Sequence, residues 1–157
     1  DFSMLKAVEN VNEQRIERLL GKVKEAAGPI EGKQIGVLGL AFKPGTDDTR
    51  VSPSIGVGQR LQDKGARLNL HDPQAIENTR SQIPDSPGLV TYCDSAYAAA
   101  EGSDALLLLT AWPEYRELDL TRLRSLMSSP VIIDGRNYLD PAEARRAGFQ
   151  YSAMGRP

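Results

Sequence analysis

Short apolar runs alternating with helical stretches predict an α/β fold: a doubly wound, mostly parallel sheet preceded by a long N-terminal helix. Three observations carry the prediction. Gln34-Ile35-Gly36-Val37-Leu38 has the length and apolar character of a fully buried strand and breaks at Gly39. Further apolar runs at residues 66–70, 89–92, 105–110 and 131–133 are each separated from the next by a helical stretch. Residues 1–27 carry apolar side chains at Met4, Leu5, Val8, Val11, Ile16, Leu19, Leu20 and Val23, mostly at three- and four-residue steps.

That first helix is stopped by Gly28-Pro29 and, at 1.5 Å per residue, would be about 40 Å long. The length exceeds what one small α/β domain covers, so its apolar stripe is expected to pack on something outside the domain. Either it is an oligomer interface or it is the cut end of a connecting helix, and its blunt start favours the second. The chain thus divides into residues 1–28, the helix, and residues 29–157, the α/β domain.

After the first strand and its loop, Pro53 following Ser52 opens a helix over residues 54–64, capped by Gly65. The strand at 66–70 closes on His71-Asp72-Pro73, and a weak helical stretch follows at 75–81. Asp94 precedes a small helix at 95–101. Residues 105–110 form the most apolar strand, expected at the centre of the sheet. Trp112-Pro113-Glu114-Tyr115 reads as a loop, 120–127 as a helix, and 131–133 as a strand followed by Asp134-Gly135-Arg136-Asn137. Pro141 opens a last helix ending at Gly148, and 149–152 adds an edge strand.

Composition narrows the function classes. The 157 residues suit one domain with an appendage, and a net charge of −2 gives no electrostatic reason to expect nucleic acid or an anionic membrane as partner. No apolar run approaches the length needed to span a bilayer, and the start, Asp1-Phe2-Ser3, does not read as a signal peptide. One cysteine excludes an internal disulfide and fits a reducing cytoplasm; with one histidine, it leaves no His/Cys metal site.

Strand, glycine break, polar loop and helix, in that order, describe the first turn of a nucleotide-binding α/β domain. Ligands of such sheets bind beyond the carboxyl ends of the strands. Lys43 offers a point charge there, and Arg50 and Arg136 offer planar forks able to grip phosphate. Gly39 and Gly45 allow close backbone approach. Gly36-x-x-Gly39 is not the G-x-G-x-x-G dinucleotide fingerprint, and Asp72 lies further along than the carboxylate that fingerprint requires. Asp47-Asp48 reads first as solvated or Arg-partnered carboxylates, His71 as a turn residue and Cys93 as a packed thiol. Trp112 suits base stacking or anchoring of its own loop equally, and Arg136 either binds a ligand or pairs with Asp134.

The segment Gly36-Val37-Leu38-Gly39-Leu40-Ala41-Phe42-Lys43-Pro44-Gly45-Thr46-Asp47-Asp48-Thr49-Arg50, with His71-Asp72-Pro73, Thr110-Ala111-Trp112 and Asp134-Gly135-Arg136-Asn137, resembles the C-terminal domain of the UDP-glucose/GDP-mannose dehydrogenase family. The resemblance covers residues 1–155 and implies a Rossmann-like, UDP-sugar-binding domain. It implies NAD-dependent, two-step oxidation of a nucleotide-sugar C6 alcohol to a carboxylate, UDP-glucose to UDP-glucuronate in the branch it resembles most. By motif position, Phe42, Lys43, Pro44, Gly45, Thr46, Asp47, Asp48, Thr49 and Arg136 would line the UDP-sugar site. Arg50 would reach NAD, which an N-terminal domain mainly holds. Residues 1–28 would be the end of a central helix through which two copies dimerise. The family's G-x-C-x-P-K-D thiol motif is not in this sequence, so no catalytic residue is assigned and the chain alone is expected to be inactive. The chain has Val51 where the family has Glu, and Ala111 where it has the glutamate of T-E-W. The remaining readings are a dehydrogenase of UDP-N-acetyl-hexosamine or GDP-mannose, and a non-catalytic Rossmann-like interaction module.

Overall fold

The computed structural model describes residues 1–155. Its six strands, β1 (Gln34–Leu38), β2 (Arg67–His71), β3 (Val90–Tyr92), β4 (Ala105–Leu108), β5 (Val131–Asp134) and β6 (Gln150–Ala153), form one sheet in the order β3-β2-β1-β4-β5-β6. Every pairing is parallel. The chain winds outward from β1 through β2 to β3, then returns to β4 on the other side, so strand order reverses between β1 and β4. The strand at 149–152 is present as the edge strand β6.

β4 and β5 are buried along their whole length, which is why they read as unbroken apolar runs rather than alternating ones. Gly36 is the exception within β1, and packing explains it: a Cβ there would lie 2.6 Å from the Ala99 carbonyl oxygen and 2.8 Å from Leu106 Cδ1. Helix α4 (Ala96–Ala100) can therefore sit directly on the strand. The other helices are α2 (Pro53–Asp63), α3 (Ile76–Arg80), α5 (Pro113–Arg116), α6 (Leu120–Leu126) and α7 (Pro141–Arg146). The Trp112–Tyr115 stretch, expected as loop, holds the single turn α5, too short to leave any periodicity in the sequence.

The long helix α1 (Phe2–Ala27) divides into two halves. Ile16, Leu19, Leu20 and Val23 are buried within this chain, against α2 and β5, contrary to the expectation that the whole stripe faces outward. Burying each such side chain is worth about 1.5–3 kcal/mol, and ion pairs from Arg60 on α2 to Glu13 and Glu17 tie the same stretch down. Phe2, Met4, Leu5, Val8 and Val11 remain exposed. Leu19 lies beside Gly135, just past the end of β5, whereas Gly28 leads towards the start of β1. Residues 2–11 of α1 thus extend beyond the stretch that packs on this chain, about 15 Å at 1.5 Å per residue. Among the described residues no helix is long and apolar enough to cross a membrane.

Candidate functional site

At the end of β1 the chain turns sharply through Gly39, whose φ of +101° suits glycine and whose α-carbon backs onto Thr110. The next two amides, of Leu40 and Ala41, donate to Asp72 Oδ2 at 2.7 and 3.0 Å. Trp112 Nε1 donates to the same oxygen at 2.9 Å, and the amides of Gln74 and Ala75 donate to Oδ1, both at 2.9 Å. Asp72 is 2 % exposed, so one buried carboxylate joins the ends of β1, β2 and β4. Thr110 Oγ1 closes the turn by donating to the Ala41 carbonyl at 2.7 Å. In a dinucleotide-binding domain these first-turn amides and a carboxylate after β2 would face pyrophosphate and ribose. Here they satisfy each other, and the crevice does not fit a dinucleotide. Trp112, 6 % exposed, anchors its own loop and is not free to stack on a base.

A second aspartate shapes the end of β5. Asp134 Oδ1 accepts from the Arg136 amide at 3.0 Å, and Oδ2 accepts from the amides of Tyr138 and Leu139 and the Tyr151 hydroxyl, each at 2.8 Å. Asn137 takes the left-handed conformation (φ +52°) that Asn tolerates. Asp134 thus bonds the backbone of Arg136, not its guanidinium, which stays exposed and makes no ion pair among the described residues.

The β1–α2 loop is closed by the Phe42 amide donating to the Asp48 carbonyl at 2.8 Å. Phe42, Lys43, Pro44 and Gly45 are exposed on its outer side. Thr49 is buried and accepts from Gln82 Nε2 at 2.9 Å, while the Asp47 carbonyl accepts from Asn78 Nδ2 at 2.8 Å. Asp47 and Asp48 form no metal pair: Asp48 is gripped by Arg50 through Nε–Oδ1 at 3.0 Å and Nη2–Oδ2 at 2.8 Å. That fork holds the Asp48 carboxyl down at about 2. Among the described residues no group of His, Cys, Asp or Glu is arranged to hold a metal ion.

Three adjoining depressions run along this edge. One, lined by Thr46, Asp48, Arg50, Asn78 and Gln82, lies between the β1–α2 loop and α3. It shares Thr49, Arg50 and Gln82 with the next, which reaches Asn12 and Ile16 of α1 and the start of α2. That one shares Ile16 and Pro53 with a cavity of about 290 Å³ lined by Arg15, Arg18, Leu19, Ser54, Leu109 and Arg136. Part of the expected site is therefore distributed along a groove. Thr46 to Arg50 stand at one end and Arg136 at the other, while Phe42 to Gly45 line none of these three depressions.

The remaining candidates lie in the interior. His71 is 4 % exposed, its Nδ1 is 2.9 Å from the Tyr115 hydroxyl, and burial pushes its imidazole below the ordinary value. Cys93 is buried and desolvation pushes its thiol up, so it is a poor nucleophile. Arg15, Arg18 and Ser54 were not legible as groove residues, because a charged position on an amphipathic helix reads as a solvated face.

An all-parallel sheet in this order, with cations crowning its carboxyl edge, defines a doubly wound domain of the nucleotide-binding type. More narrowly, the chain belongs to the UDP-glucose/GDP-mannose dehydrogenase family, whose UDP binding domain matches residues 36–141. It is 46% identical over 149 residues to a UDP-glucose 6-dehydrogenase of Rhizobium meliloti, covering 94% of this chain and 33% of that protein. It is 39% identical over 156 residues to the UDP-glucose 6-dehydrogenase TuaD of Bacillus subtilis, covering 99% and 33%. Among solved structures, a UDP-glucose dehydrogenase from Pyrobaculum islandicum superposes with a TM-score of 0.77 at 37% identity, over 94% of this chain and 31% of that one. The chain spans about a third of the length of the curated relatives it matches.

Proposed function

We propose that this chain is the nucleotide-sugar-binding part of an NAD-dependent UDP-glucose 6-dehydrogenase, which oxidises UDP-glucose to UDP-glucuronate in two steps. The observation that carries the reading is the groove at the carboxyl edge, bounded by Arg50 at one end and Arg136 at the other, in a chain whose relatives bear that activity. Residues 29–157 form the UDP-sugar domain. Residues 1–28 form the end of a connecting helix whose exposed apolar stripe pairs two copies. Phe42 to Thr49 and Arg136 face the UDP-sugar.

NAD supplies the hydride acceptor when bound, and its dinucleotide is held by another domain, since the crevice at Asp72 is already filled by this chain's own groups. Arg50, exposed at the groove mouth, is the residue offered to it. The first half of α1 supports this arrangement by leaving Phe2, Met4, Leu5, Val8 and Val11 exposed for another domain or copy to cover. The thiol nucleophile lies outside these residues, Cys93 being buried, so no NADH is expected from this chain with UDP-glucose and NAD.

Calorimetry with UDP, GDP and UDP-glucose tests the reading. Heat with UDP and UDP-glucose but not GDP is expected. Lys43→Ala and Arg136→Ala should each weaken binding by about 1.5–3 kcal/mol, the worth of a charged hydrogen bond. A preference for GDP would point to the GDP-mannose branch. No heat with any ligand on folded protein would favour an interaction module.

A further inference from the structure

We propose that Arg15 and Arg18 of α1 join Arg136 in a clamp for a diphosphate, making the connecting helix part of the ligand site. The proposal rests on the nucleotide-sugar reading above and adds two residues that no motif marks.

The three arginines, all exposed, come from two distant segments and line one cavity together with the apolar Leu19, Val57 and Leu109. None of the three pairs with a carboxylate among the described residues, whereas Arg50, Arg60 and Arg80 all do. Like charges gathered over an apolar floor repel one another until an anion arrives, and a low-dielectric floor strengthens the attraction once it does. The start of α2 adds to the field. Its first turn carries no acidic residue, and its N-cap, Ser52, makes no side-chain cap bond. Among the described residues Ser52 Oγ is buried without a partner in the adjoining depression, and Ser54, 2 % exposed, lines the cavity itself. Pro53 has no amide proton and the Ile55 amide donates to the Ser52 carbonyl at 3.2 Å, so it is the serine hydroxyls and the Ser54 amide that this helix start can offer an oxyanion.

Size narrows the ligand. The cavity, about 290 Å³, falls at the low end of the roughly 300–1,000 Å³ of small-molecule pockets. It suits the diphosphate of a nucleotide sugar, with base and sugar extending along the groove. Three forks match a diphosphate better than a single carboxylate.

The test titrates the whole chain with inorganic pyrophosphate, UDP and uridine. Pyrophosphate and UDP should bind and uridine should bind far more weakly. Arg15→Met and Arg18→Met should each weaken pyrophosphate and UDP at least tenfold, since each removes a charged hydrogen bond, and leave uridine unchanged. Arg15→Lys should recover part of the loss. Arg146→Met, the same change of charge at the end of α7, should alter neither affinity. If the Arg15→Met/Arg18→Met double variant binds pyrophosphate and UDP as the parent does, the clamp is overturned while the nucleotide-sugar reading stands. Pyrophosphate binding that depends on Arg15, with no preference for any nucleotide, would keep the clamp and overturn that reading. Equal losses for uridine would mean a structural role and overturn the clamp, as would a parent chain that binds neither pyrophosphate nor UDP.

Discussion

Two buried aspartates stand at the same edge of the sheet and do opposite things. Asp72, just past β2, gathers five donors from three segments and seals the turn after β1. Asp134, the last residue of β5, gathers its three amide donors from the loop immediately following and leaves the Arg136 side chain facing outward. The chemistry is the same, a carboxylate satisfying backbone amides that would otherwise be orphaned. What differs is reach. A hub that joins distant segments closes a crevice; one that folds its own loop presents a side chain. At the end of β1 the donors are thus used up inside the chain, while at the end of β5 a cation is left exposed at the groove.

The sharpest way to break this comparison is Asp72→Ala. It orphans donors at the ends of three strands, and each buried unsatisfied donor costs about 1–3 kcal/mol, with relaxation preventing full addition. A loss of roughly 3–5 kcal/mol in urea unfolding is expected. A loss below about 1 kcal/mol would show that the turn holds itself and that Asp72 is not its hub. Asp134→Ala should be milder, about 2–3 kcal/mol, because Tyr138 and Leu139 are only half-buried and their amides can find water. Its larger effect should be on binding: UDP affinity should fall about as far as in Arg136→Ala, since the loop no longer holds that side chain in place. Unchanged UDP affinity would separate Asp134 from the site.

The difference in reach also explains what could be read in the sequence. The strands, their parallel alternation and the glycine break depend on local composition, so each appears within a residue or two of its expected position. Asp134-Gly135-Arg136-Asn137 is likewise local, and its role as a presenting loop was visible as one of two options. The hub at Asp72 was not, because Leu40, Ala41 and Trp112 lie about thirty to forty positions away in the chain and nothing in spacing links them. The buried half of α1 was missed for a related reason. A helical stripe shows which face is apolar and not which neighbour covers it, and the stripe changes partner near Ile16 without any change in period. Arg15 and Arg18 acquire their meaning only from what Ile16 and Leu19 pack against.

A third aspartate completes the series and should show the smallest effect. Asp48 is solvent-facing, and its partner Arg50 is largely exposed, so the pair is screened by water and salt. Its carboxyl is nevertheless held at about 2, below the ordinary carboxylate value, chiefly by the side-chain hydrogen bonds from Arg50. A depressed folded-state value means that the contribution to stability is complete above the unfolded value, near 4, and is lost as pH falls through about 2. Asp48→Asn should therefore flatten the acid limb of the stability curve between about pH 4 and 2 and leave the curve above pH 5 parallel to the parent's. High salt should shrink the difference. The same change frees the Arg50 fork, so any affinity for an added anion at that end of the groove should rise while the Arg136 end is unaffected. An acid limb that does not respond to Asp48→Asn would mean that the fork opens in solution, leaving Arg50 already available to a ligand.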